Sequence, residues 1–408
     1  MDRTLPLEMN DTTAPRETKA PRQKVAELLK TYRDQLVSLS HTIHETPELA
    51  FQEHQASESA AQLLEQEGFQ VTRGVGGMAT ALKAVYDSGK PGPTLAFLAE
   101  YDALPEIGHA CGHNLIAASA IGAALVLSRL VPETGGRVVL MGTPAEEGGG
   151  GKILLLKAGA FDDIDFSLMM HPSNQSVIGR GSTACCELVM TFGGQTAHSS
   201  KPEQGINALR PLIQVFNAID DRQAKWPSKV KVNGIITAGG TASNVIVDDA
   251  CGKFLIRGET REEVVMVMEE LNQVAAEEAA KIGATFHSDH DEPYSERYPN
   301  MVLEERFKLH LAAEGITMAY ADPLEPTGSS DVGNVSRAMP TIHPYVAIVG
   351  ADVAGHTREF AAASASPRGD DAMLKSIAAL TLTGWEVLAV PEIREAAMDE
   401  FQSVVTKK

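Results

Sequence analysis

The spacing of apolar residues near the start of the chain predicts a long amphipathic helix. Apolar side chains recur there at gaps of three and four residues, which places them on one helical face. They are Val25, Leu28, Leu29, Tyr32, Leu36, Leu39 and Ile43. A second helix is predicted over residues 56–66, and Gly68 ends it because glycine closes helices readily.

Farther along the chain, short apolar runs alternate with helical patterns. The runs have the length and composition of strands that are buried on both faces. Strands are predicted at residues 94–99, 138–141, 166–170 and 345–349, and helices at residues 114–130, 152–158, 302–313 and 372–388. This alternation predicts a layered α/β domain built on a mostly parallel sheet.

The middle of the chain has a different order of elements. Strand, helix, strand, strand, helix and strand are predicted in turn at residues 185–192, 205–224, 230–237, 252–257, 262–281 and 285–289. This is the order of a ferredoxin-like unit. The sequence therefore predicts a ferredoxin-like α+β domain at residues 183–295, inserted into an α/β domain that comprises residues 23–182 and 296–408.

Composition and charge narrow the choice of partners. The chain carries 35 Lys and Arg against 54 Asp and Glu, a formal charge of −19, which argues against nucleic acid or an anionic membrane as the main partner. No apolar run reaches the roughly 18 residues that span a bilayer.

Residues 1–22 are polar, lack the apolar core of a secretory signal and are predicted to form a disordered tail. The spacing of the four cysteines predicts neither a structural zinc motif nor disulfides, so we expect a reducing, cytoplasmic location.

Residues with the chemistry of metal ligands follow four of the predicted strands, at the point where each strand ends. Sites in open α/β sheets form at these carboxyl ends. One metal site therefore explains all four clusters, whereas unrelated surface residues would need four separate explanations. The clusters are Glu100, Asp102, His109, Cys111 and His113; Glu146 and Glu147; His171; and His356.

The first two clusters carry a thiol, an imidazole and a pair of adjacent carboxylates. Gly112 permits a tight turn between Cys111 and His113, whose side chains suit zinc and similar metals. Because Glu146 and Glu147 are neighbours, their side chains point in different directions. One of them can bind metal while the other faces the substrate as a general base.

His171 and His356 bring the number of candidate protein ligands to five. Five ligands suit two ions about 3.5–4 Å apart. Asp102 lies too early in its loop to be a first choice of ligand, and we expect it to orient an imidazole instead. Glu100 and His109 have no assigned role.

The glycine run at residues 148–151 does not form a phosphate-binding loop. In that motif a Ser or Thr follows the lysine, whereas Ile153 follows Lys152 here, and Glu146 stands where the motif opens with glycine. We expect these glycines to let the backbone pass close to the metal site.

Three segments in this part of the chain form recognisable motifs. They are Glu100-Tyr-Asp-Ala-Leu-Pro105, Gly108-His-Ala-Cys-Gly-His-Asn114 and Pro144-Ala-Glu-Glu-Gly-Gly-Gly150. In this order they resemble the M20 family of metallopeptidases. The closest resemblance is to its amidohydrolase branch, subfamily D, in the group of peptidase M20 domain-containing protein 2 and the aminobenzoyl-glutamate hydrolases. It spans about residues 25–401 and implies a zinc-exopeptidase-like catalytic domain with an inserted ferredoxin-like dimerisation or lid domain.

The resemblance also implies roles for individual residues of the catalytic domain. Glu146 matches the general base of the branch. The positions that match its metal ligands are Cys111, His113, Glu147, His171 and His356. One position departs from the wider family, because Glu100 stands where other members have a ligand His. The amidohydrolase branch shares this difference, which leaves the metal open: two divalent ions are expected, zinc first, with manganese or cobalt as alternatives.

In the insert, the resemblance implies residues that contact the substrate. His198 resembles a residue that stabilises the oxyanion, often in the active site of the partner subunit. Asn244 and Arg257 resemble residues that bind a substrate carboxylate. Outside the insert, Ser330, with its neighbours Ser329 and Asp331, resembles a loop near the site, and Ser330 is the serine expected to bind the substrate.

The function that the resemblance implies is hydrolysis of an amide bond next to a free carboxylate. A dipeptidase and an N-acyl-amino-acid amidohydrolase both fit, with a small-molecule amide or dipeptide as substrate and a homodimer as the assembly. Two alternatives stay open. One is a catalytically inactive dimer with a binding or regulatory role, and the other is an enzyme that trims or forms an amide in a small-molecule biosynthetic pathway.

Overall fold

The computed structural model describes residues 19–405 apart from residues 323, 324 and 326. In chain order its helices are α1 (Lys19–Glu45), α2 (His54–Gln66), α3 (His113–Ser128), α4 (Val131–Thr134), α5 (Gly151–Lys157), α6 (Leu209–Arg222), α7 (Arg261–Ile282), α8 (Met301–Ala313), α9 (Val332–Ser336), α10 (Arg358–Ala363), α11 (Pro367–Ala389) and α12 (Pro391–Val405). Its strands are β1 (Gln70–Arg73), β2 (Leu82–Asp87), β3 (Thr94–Ala99), β4 (Arg137–Gly142), β5 (Phe166–Leu168), β6 (His171–Ser173), β7 (Val177–Ile178), β8 (Ala184–Gly193), β9 (Lys231–Ala238), β10 (Asp249–Gly258), β11 (Thr285–His290), β12 (Ala319–Tyr320), β13 (Thr341–Ile342) and β14 (Tyr345–Ala347). Residues 1–18, most of the predicted tail, lie outside the described residues. The prediction was wrong for residues 19–22, which form the start of α1, where Arg22 pairs with Glu314 at 3.0 Å.

The larger domain is built on a mixed sheet with the strand order β1-β2-β4-β3-β5-β13. The pairings of β4 with β3, β3 with β5 and β5 with β13 are parallel, whereas β2 pairs antiparallel with both β1 and β4. Every residue of β3 is buried, as its unbroken apolar run predicts. The α/β class and the mostly parallel sheet are therefore confirmed.

Two buried helices complete the core of this domain. Helix α3 is apolar all round and buried along its whole length, between strand β3 and helices α1 and α11. Helix α11 is long and apolar enough to cross a membrane by length and composition alone. Because it is mostly buried against α1, α3 and α8, it serves here as a core helix.

The predicted strand at residues 345–349 takes a different position from the one expected. It was expected to extend the main sheet, but β14 pairs in parallel with β6 in a second, smaller sheet, where Tyr345 lies opposite His171. Strand β13 takes the edge of the main sheet instead. The physical cause is Pro344, which has no N–H to continue the ladder and separates the two short strands.

The insert forms an antiparallel sheet with the order β11-β8-β10-β9. Helices α6 and α7 pack against this sheet and against each other. The order and types of the elements confirm the ferredoxin-like prediction. The buried apolar residues of the insert form a cluster of their own between Ala184 and Ala279, while its bounds at residues 183–295 stay a prediction.

Candidate metal centre and active site

The loop between β3 and α3 brings a thiol and an imidazole into the interior. His113 is the first residue of α3, and Gly112 before it has a φ of +79°, a conformation that favours glycine. A Cβ on Gly112 would lie 2.9 Å from Cγ of Pro172, so the close approach of the two loops also requires glycine. This approach places Cys111 Sγ 3.5 Å from Nε2 of His171, the first residue of β6.

The loop after β4 presents Glu146 and Glu147 to the same region. Ala145 has a φ of +59°, and its N–H donates to Oε1 of Glu53 at 2.9 Å. The N–H of Glu147 donates to Oδ2 of Asp102 at 2.9 Å. These bonds hold a left-handed residue directly before the candidate general base, and strain of this kind is common at functional sites.

His356 reaches the region from the loop that precedes α10. It also has a positive φ, +60°, and its N–H donates to the carbonyl of Ala110 at 2.9 Å. Its Nε2 lies 3.3 Å from Oε1 of Glu147. The backbone beside Cys111 therefore positions a histidine that is more than 240 residues farther along the chain.

The five residues predicted as ligands converge in the structure. We call their donor atoms together the metal centre, and the five residues are Cys111, His113, Glu147, His171 and His356. Within the described residues, the donors of Cys111, His113 and His171 lie within 4.8 Å of one another, as do those of Cys111, Glu147 and His356. Donors bound to one zinc ion at about 2.0–2.3 Å lie about 3–4 Å apart. In each group one pair of donors has this spacing: Sγ of Cys111 lies 3.5 Å from Nε2 of His171, and Nε2 of His356 lies 3.3 Å from Oε1 of Glu147.

Unsatisfied polar atoms at the metal centre and the neutral imidazole of His171 fit a divalent cation. Nε2 of His113 and Oε1 of Glu147 are buried without a hydrogen-bond partner in the described chain, which is costly unless a ligand binds them. Burial raises the pKa of the Cys111 thiol well above its usual range, so a thiolate there requires nearby positive charge. Burial lowers the pKa of His171 to about 4 and leaves the neutral imidazole that binds metals.

Asp102 lies behind His113 and outside the metal centre. Its Oδ1 accepts a hydrogen bond from Nδ1 of His113 at 3.0 Å, which leaves Nε2 of that ring to face the other donors. Burial opposes ionisation of Asp102, but the His113 ring outweighs burial and lowers the pKa of Asp102 to about 2. A carboxylate in this position orients a metal-binding imidazole, which is the role predicted for it.

We expect Asp102→Asn to weaken metal binding by about 10–100-fold, the usual effect of removing a carboxylate behind a ligand imidazole. Competition with a chelator of known affinity measures the change. Asp163→Asn is the matched control, because Asp163 pairs with Lys83 and Arg137 on the surface of the same domain. If both variants bound metal as tightly as the wild type, Asp102 would not have the orienting role.

Glu146 faces a cavity of about 360 Å³ that lies between the larger domain and the insert. Burial raises the pKa of Glu146 well above its usual range, and Glu100 and Glu147 beside it raise the pKa further. A carboxyl group with a raised pKa in a cavity wall is suited to proton transfer. Both Glu146 and Glu147 line the cavity, and Glu147 also lies 3.3 Å from Nε2 of His356 through its Oε1. The division of roles between the two carboxylates stays a prediction.

Arg257 and one of the predicted serines line the same cavity. Nη1 of Arg257 donates to Oγ of Ser329 at 3.3 Å, and both side chains contribute to the wall. Ser330 was predicted as the substrate-binding serine, but its Oγ accepts from the N–H of Val332 at 3.4 Å. In the described part of the chain, Ser329 lines the cavity and Ser330 does not.

His198 and Asn244 lie together on the exposed surface of the insert. His198 forms an isolated bridge with Val245, and the N–H of Ser199 donates to the carbonyl of Asn244 at 3.0 Å. Nδ1 of His198 is 2.7 Å from Oγ of Ser200. Neither residue belongs to the donor groups or to the cavity wall in the described residues. Within the described part of one protomer, His198 is therefore outside the metal centre and both side chains are outside the cavity wall.

Two residues near the site have positions that the sequence does not predict. The hydroxyl of Tyr294 donates to the carbonyl of Glu146 at 3.1 Å. Lys152 is fully buried, with Nζ 2.6 Å from Oε1 of Glu100 and 2.7 Å from Oδ1 of Asp331. In the sequence, the one sign that Lys152 is buried is its place directly before an apolar helical stretch. A lysine in such a place is buried only if its charge is paired.

A layered α/β domain with clustered metal donors and a carboxyl group beside them defines the class of this protein as a metallohydrolase. Residues 181–283 match the peptidase dimerisation domain of the M20 peptidases. The chain is 31% identical to the Xaa-Arg dipeptidase of Mus musculus over 96% of its own length and 94% of that protein. The chain belongs to the M20 peptidase family and is an M20 hydrolase.

A further relative agrees with this assignment, and a solved structure has the same fold. The chain is 29% identical to one of the p-aminobenzoyl-glutamate hydrolase subunits of Escherichia coli (strain K12), over 75% of its length and 69% of that protein. Its fold matches the crystal structure of a dinuclear metal-binding peptidase of the M20 family from Bacillus subtilis. That match has a TM-score of 0.62 at 22% identity, over 86% of this chain and 99% of the other.

Proposed function

We propose that this protein hydrolyses the amide bond of a dipeptide or an N-acyl amino acid next to the free carboxylate. We further propose that dipeptides with a basic C-terminal residue are its preferred substrates. The observation that carries both proposals is the cavity beside Glu146. It borders the metal centre through Glu147 and extends to the guanidinium of Arg257 and a group of carboxylates.

Arg257 is the residue we propose to bind the substrate carboxylate. Arg257 is exposed in the cavity, where Oγ of Ser329 accepts a hydrogen bond from its guanidinium. A bond between Arg and a carboxylate is charge-assisted and can be bidentate. It would hold the C-terminal end of the substrate so that the amide bond lies toward Glu146.

Three carboxylates of the insert supply the opposite charge in the same cavity. Glu187 and Glu292 are each paired with a lysine, Lys253 at 3.1 Å and Lys157 at 2.7 Å. Asp291 is exposed at the wall, which leaves its charge available to a cation of the substrate. A cavity with one guanidinium and an acidic wall suits a residue that carries a carboxylate and a basic side chain, and the relative named Xaa-Arg dipeptidase supports this choice.

Each side chain has a defined task in the proposed reaction. Two divalent ions held by the metal centre would supply Lewis acidity, which polarises a carbonyl and lowers the pKa of water toward about 7. Glu146 takes the proton of the attacking water and returns it to the leaving amine. Asp102 keeps the His113 ring in place, and Arg257 holds the carboxylate.

The insert offers a surface for a second copy of the chain, which would bring His198 and Asn244 to the centre of its partner. Strand β9 lies at the edge of the insert sheet, and its residues Ile235 and Ile236 are 57% and 47% exposed. Edge strands with exposed apolar residues pair readily with other chains. The match of residues 181–283 to a dimerisation domain supports this assembly.

The alternatives differ in how much support they have. An inactive binding dimer is not favoured, because the structure brings all five predicted donors together beside a candidate base. Formation of an amide in a biosynthetic pathway would use the same residues in the reverse direction and stays a prediction.

We expect the protein to cleave Xaa-Arg and Xaa-Lys dipeptides faster than Xaa-Glu, and Asp291→Lys to reduce that preference by about tenfold. The reversed charge would repel a basic side chain across the cavity. The measurement is kcat/KM on the three dipeptides after apo-protein is loaded with Zn²⁺, Mn²⁺ or Co²⁺. Asp289→Lys is the control, since it makes the same charge change outside the cavity wall. Lack of hydrolysis with every metal would contradict the proposed function, and an unchanged preference in Asp291→Lys would contradict the acidic wall as its source.

A further inference from the structure

A lysine is buried directly behind the loop that carries the candidate general base. Lys152 lies in the first turn of α5 and has no exposed surface. Its Nζ is 2.6 Å from Glu100 and 2.7 Å from Asp331, and its backbone N–H donates to the second oxygen of Asp331 at 2.9 Å. Because burying charges costs desolvation, such a cluster is weak evidence for stability. Its presence beside an active site calls for another explanation.

Glu100 connects this buried cluster to the metal centre. Its Oε2 lies 3.5 Å from Nε2 of His113, the atom that faces the other metal donors. Carboxylate oxygens of Glu100, Glu146 and Asp331 also lie within 4.8 Å of one another. Without the ammonium group of Lys152, these carboxylates would compete with the metal centre for the same cations.

Lys152 also closes the loop that presents the two functional carboxylates. A Cβ on Gly151 would lie 1.9 Å from the carbonyl oxygen of Pro144, so the two ends of the loop touch. Directly after Gly151, both the main chain and the side chain of Lys152 bind Asp331, at the start of α9. This attachment fixes the end of the loop that follows Glu146 and Glu147.

We propose that Lys152 is a positioning residue. Its ammonium group neutralises the charge of Glu100 and so keeps Glu100 from binding the metal ions. The same group holds the loop of Glu146 and Glu147 against the metal centre. The charge state agrees with this role. Burial opposes the charged form of Lys152, but Asp331 and Glu100 outweigh burial and raise its pKa. Lys152 does not contact the reacting atoms and acts only through these two carboxylates.

Lys152→Met tests the proposal, because methionine fills similar space without the charge. We expect kcat to fall about 100-fold with KM changed by less than about threefold, the size of effect that a small misplacement of catalytic groups produces. Metal content per folded chain, measured after dialysis, should rise above that of the wild type, since the three carboxylates then lack their internal cation. Combining Lys152→Met with Glu100→Gln keeps the net charge of the cluster. This double variant should have the metal content of the wild type, and its kcat should be at least about tenfold higher than that of Lys152→Met.

Arg306→Met provides a matched control. It removes the cation from another buried carboxylate, Glu386, which is 2.5 Å from Arg306 and 1% exposed. That variant should unfold at a lower temperature but keep the kcat and the metal content of the folded wild type. A purely structural role for Lys152 would give the same result.

The outcomes separate this proposal from the proposed function. If Lys152→Met kept both kcat and metal content, or if Glu100→Gln failed to rescue it, the positioning role would be wrong. If the single variant did not fold, the double variant would decide: a folded protein with wild-type metal content supports the role, and a second failure to fold overturns it. If the wild type bound metal but cleaved no dipeptide, the proposed function would fail, while the metal contents would still test Lys152.

Discussion

Glu146→Gln is expected to lower turnover by about 10²–10⁴-fold, the usual contribution of a general base, and to leave metal content unchanged. The amide has nearly the same shape as the carboxylate but cannot take a proton from water. The Tyr294 hydroxyl binds the carbonyl of Glu146 and not its side chain, so the loop should keep its position.

Metal content in the Glu146→Gln variant distinguishes a general base from a metal ligand. Oε2 of Glu146 lies 4.0 Å from Nε2 of His113, and it forms a possible donor group with His113 and Glu147. Glu147→Gln is the matched control, because the same substitution one residue later should lower both metal content and turnover. Loss of metal in the Glu146 variant would make Glu146 a ligand, and turnover near the wild-type value would show that another group is the base.

The second large effect is expected from mixing two inactive variants. His198→Ala should lower kcat by about 10²–10³-fold, the loss that follows removal of one oxyanion donor. When it is refolded together with Glu146→Gln, half of the dimers contain one chain of each kind. In such a dimer, the chain with the intact Glu146 receives the partner subunit's His198, so about a quarter of wild-type activity should return for a symmetric dimer.

Recovery of activity in the mixture distinguishes two arrangements of the site. If His198 served the metal centre of its own chain, no chain in the mixture would have both residues and activity would stay near the level of the single variants. The exposed position of His198 and Asn244, away from the cavity wall of their own protomer, favours the shared arrangement. Mass analysis of differently tagged subunits checks that mixed dimers have formed.

The metal centre shows how far local sequence information reaches. The carboxyl ends of parallel strands meet at one edge of a sheet, which predicts that the clusters containing Cys111, His113, the pair Glu146 and Glu147, His171 and His356 come together. The choice of Glu147 and not Glu146 as the fifth ligand came from the resemblance to the M20 family. The structure brings the five together. Strand β6, however, which carries His171, pairs with β14 in a separate small sheet, an arrangement that depends on Pro344 and on a pairing across more than 170 residues.

The residues around the metal centre were harder to predict. Ser329 and not Ser330 lines the cavity, because the direction of each side chain depends on the turn that leads into α9. Lys152 looked like an ordinary lysine at the start of a helix. Its burial follows from two carboxylates that come from separate loops, 52 residues earlier and 179 residues later in the chain.

The sequence by itself determined the alternating strands and helices at the core of the α/β domain, the ferredoxin-like insert and the strand-end clusters that contain the metal donors. Each of these depends on local periodicity or on residues that directly follow a strand. Only the tertiary structure decided which groups support those donors, with Asp102 behind His113 and Lys152 between Glu100 and Asp331. It also decided that, within the described residues, His198 is exposed and outside the cavity wall of its own chain. The physical reason is that burial and charge pairing act between groups far apart in the chain, so their energies depend on a folded neighbourhood that no local pattern encodes.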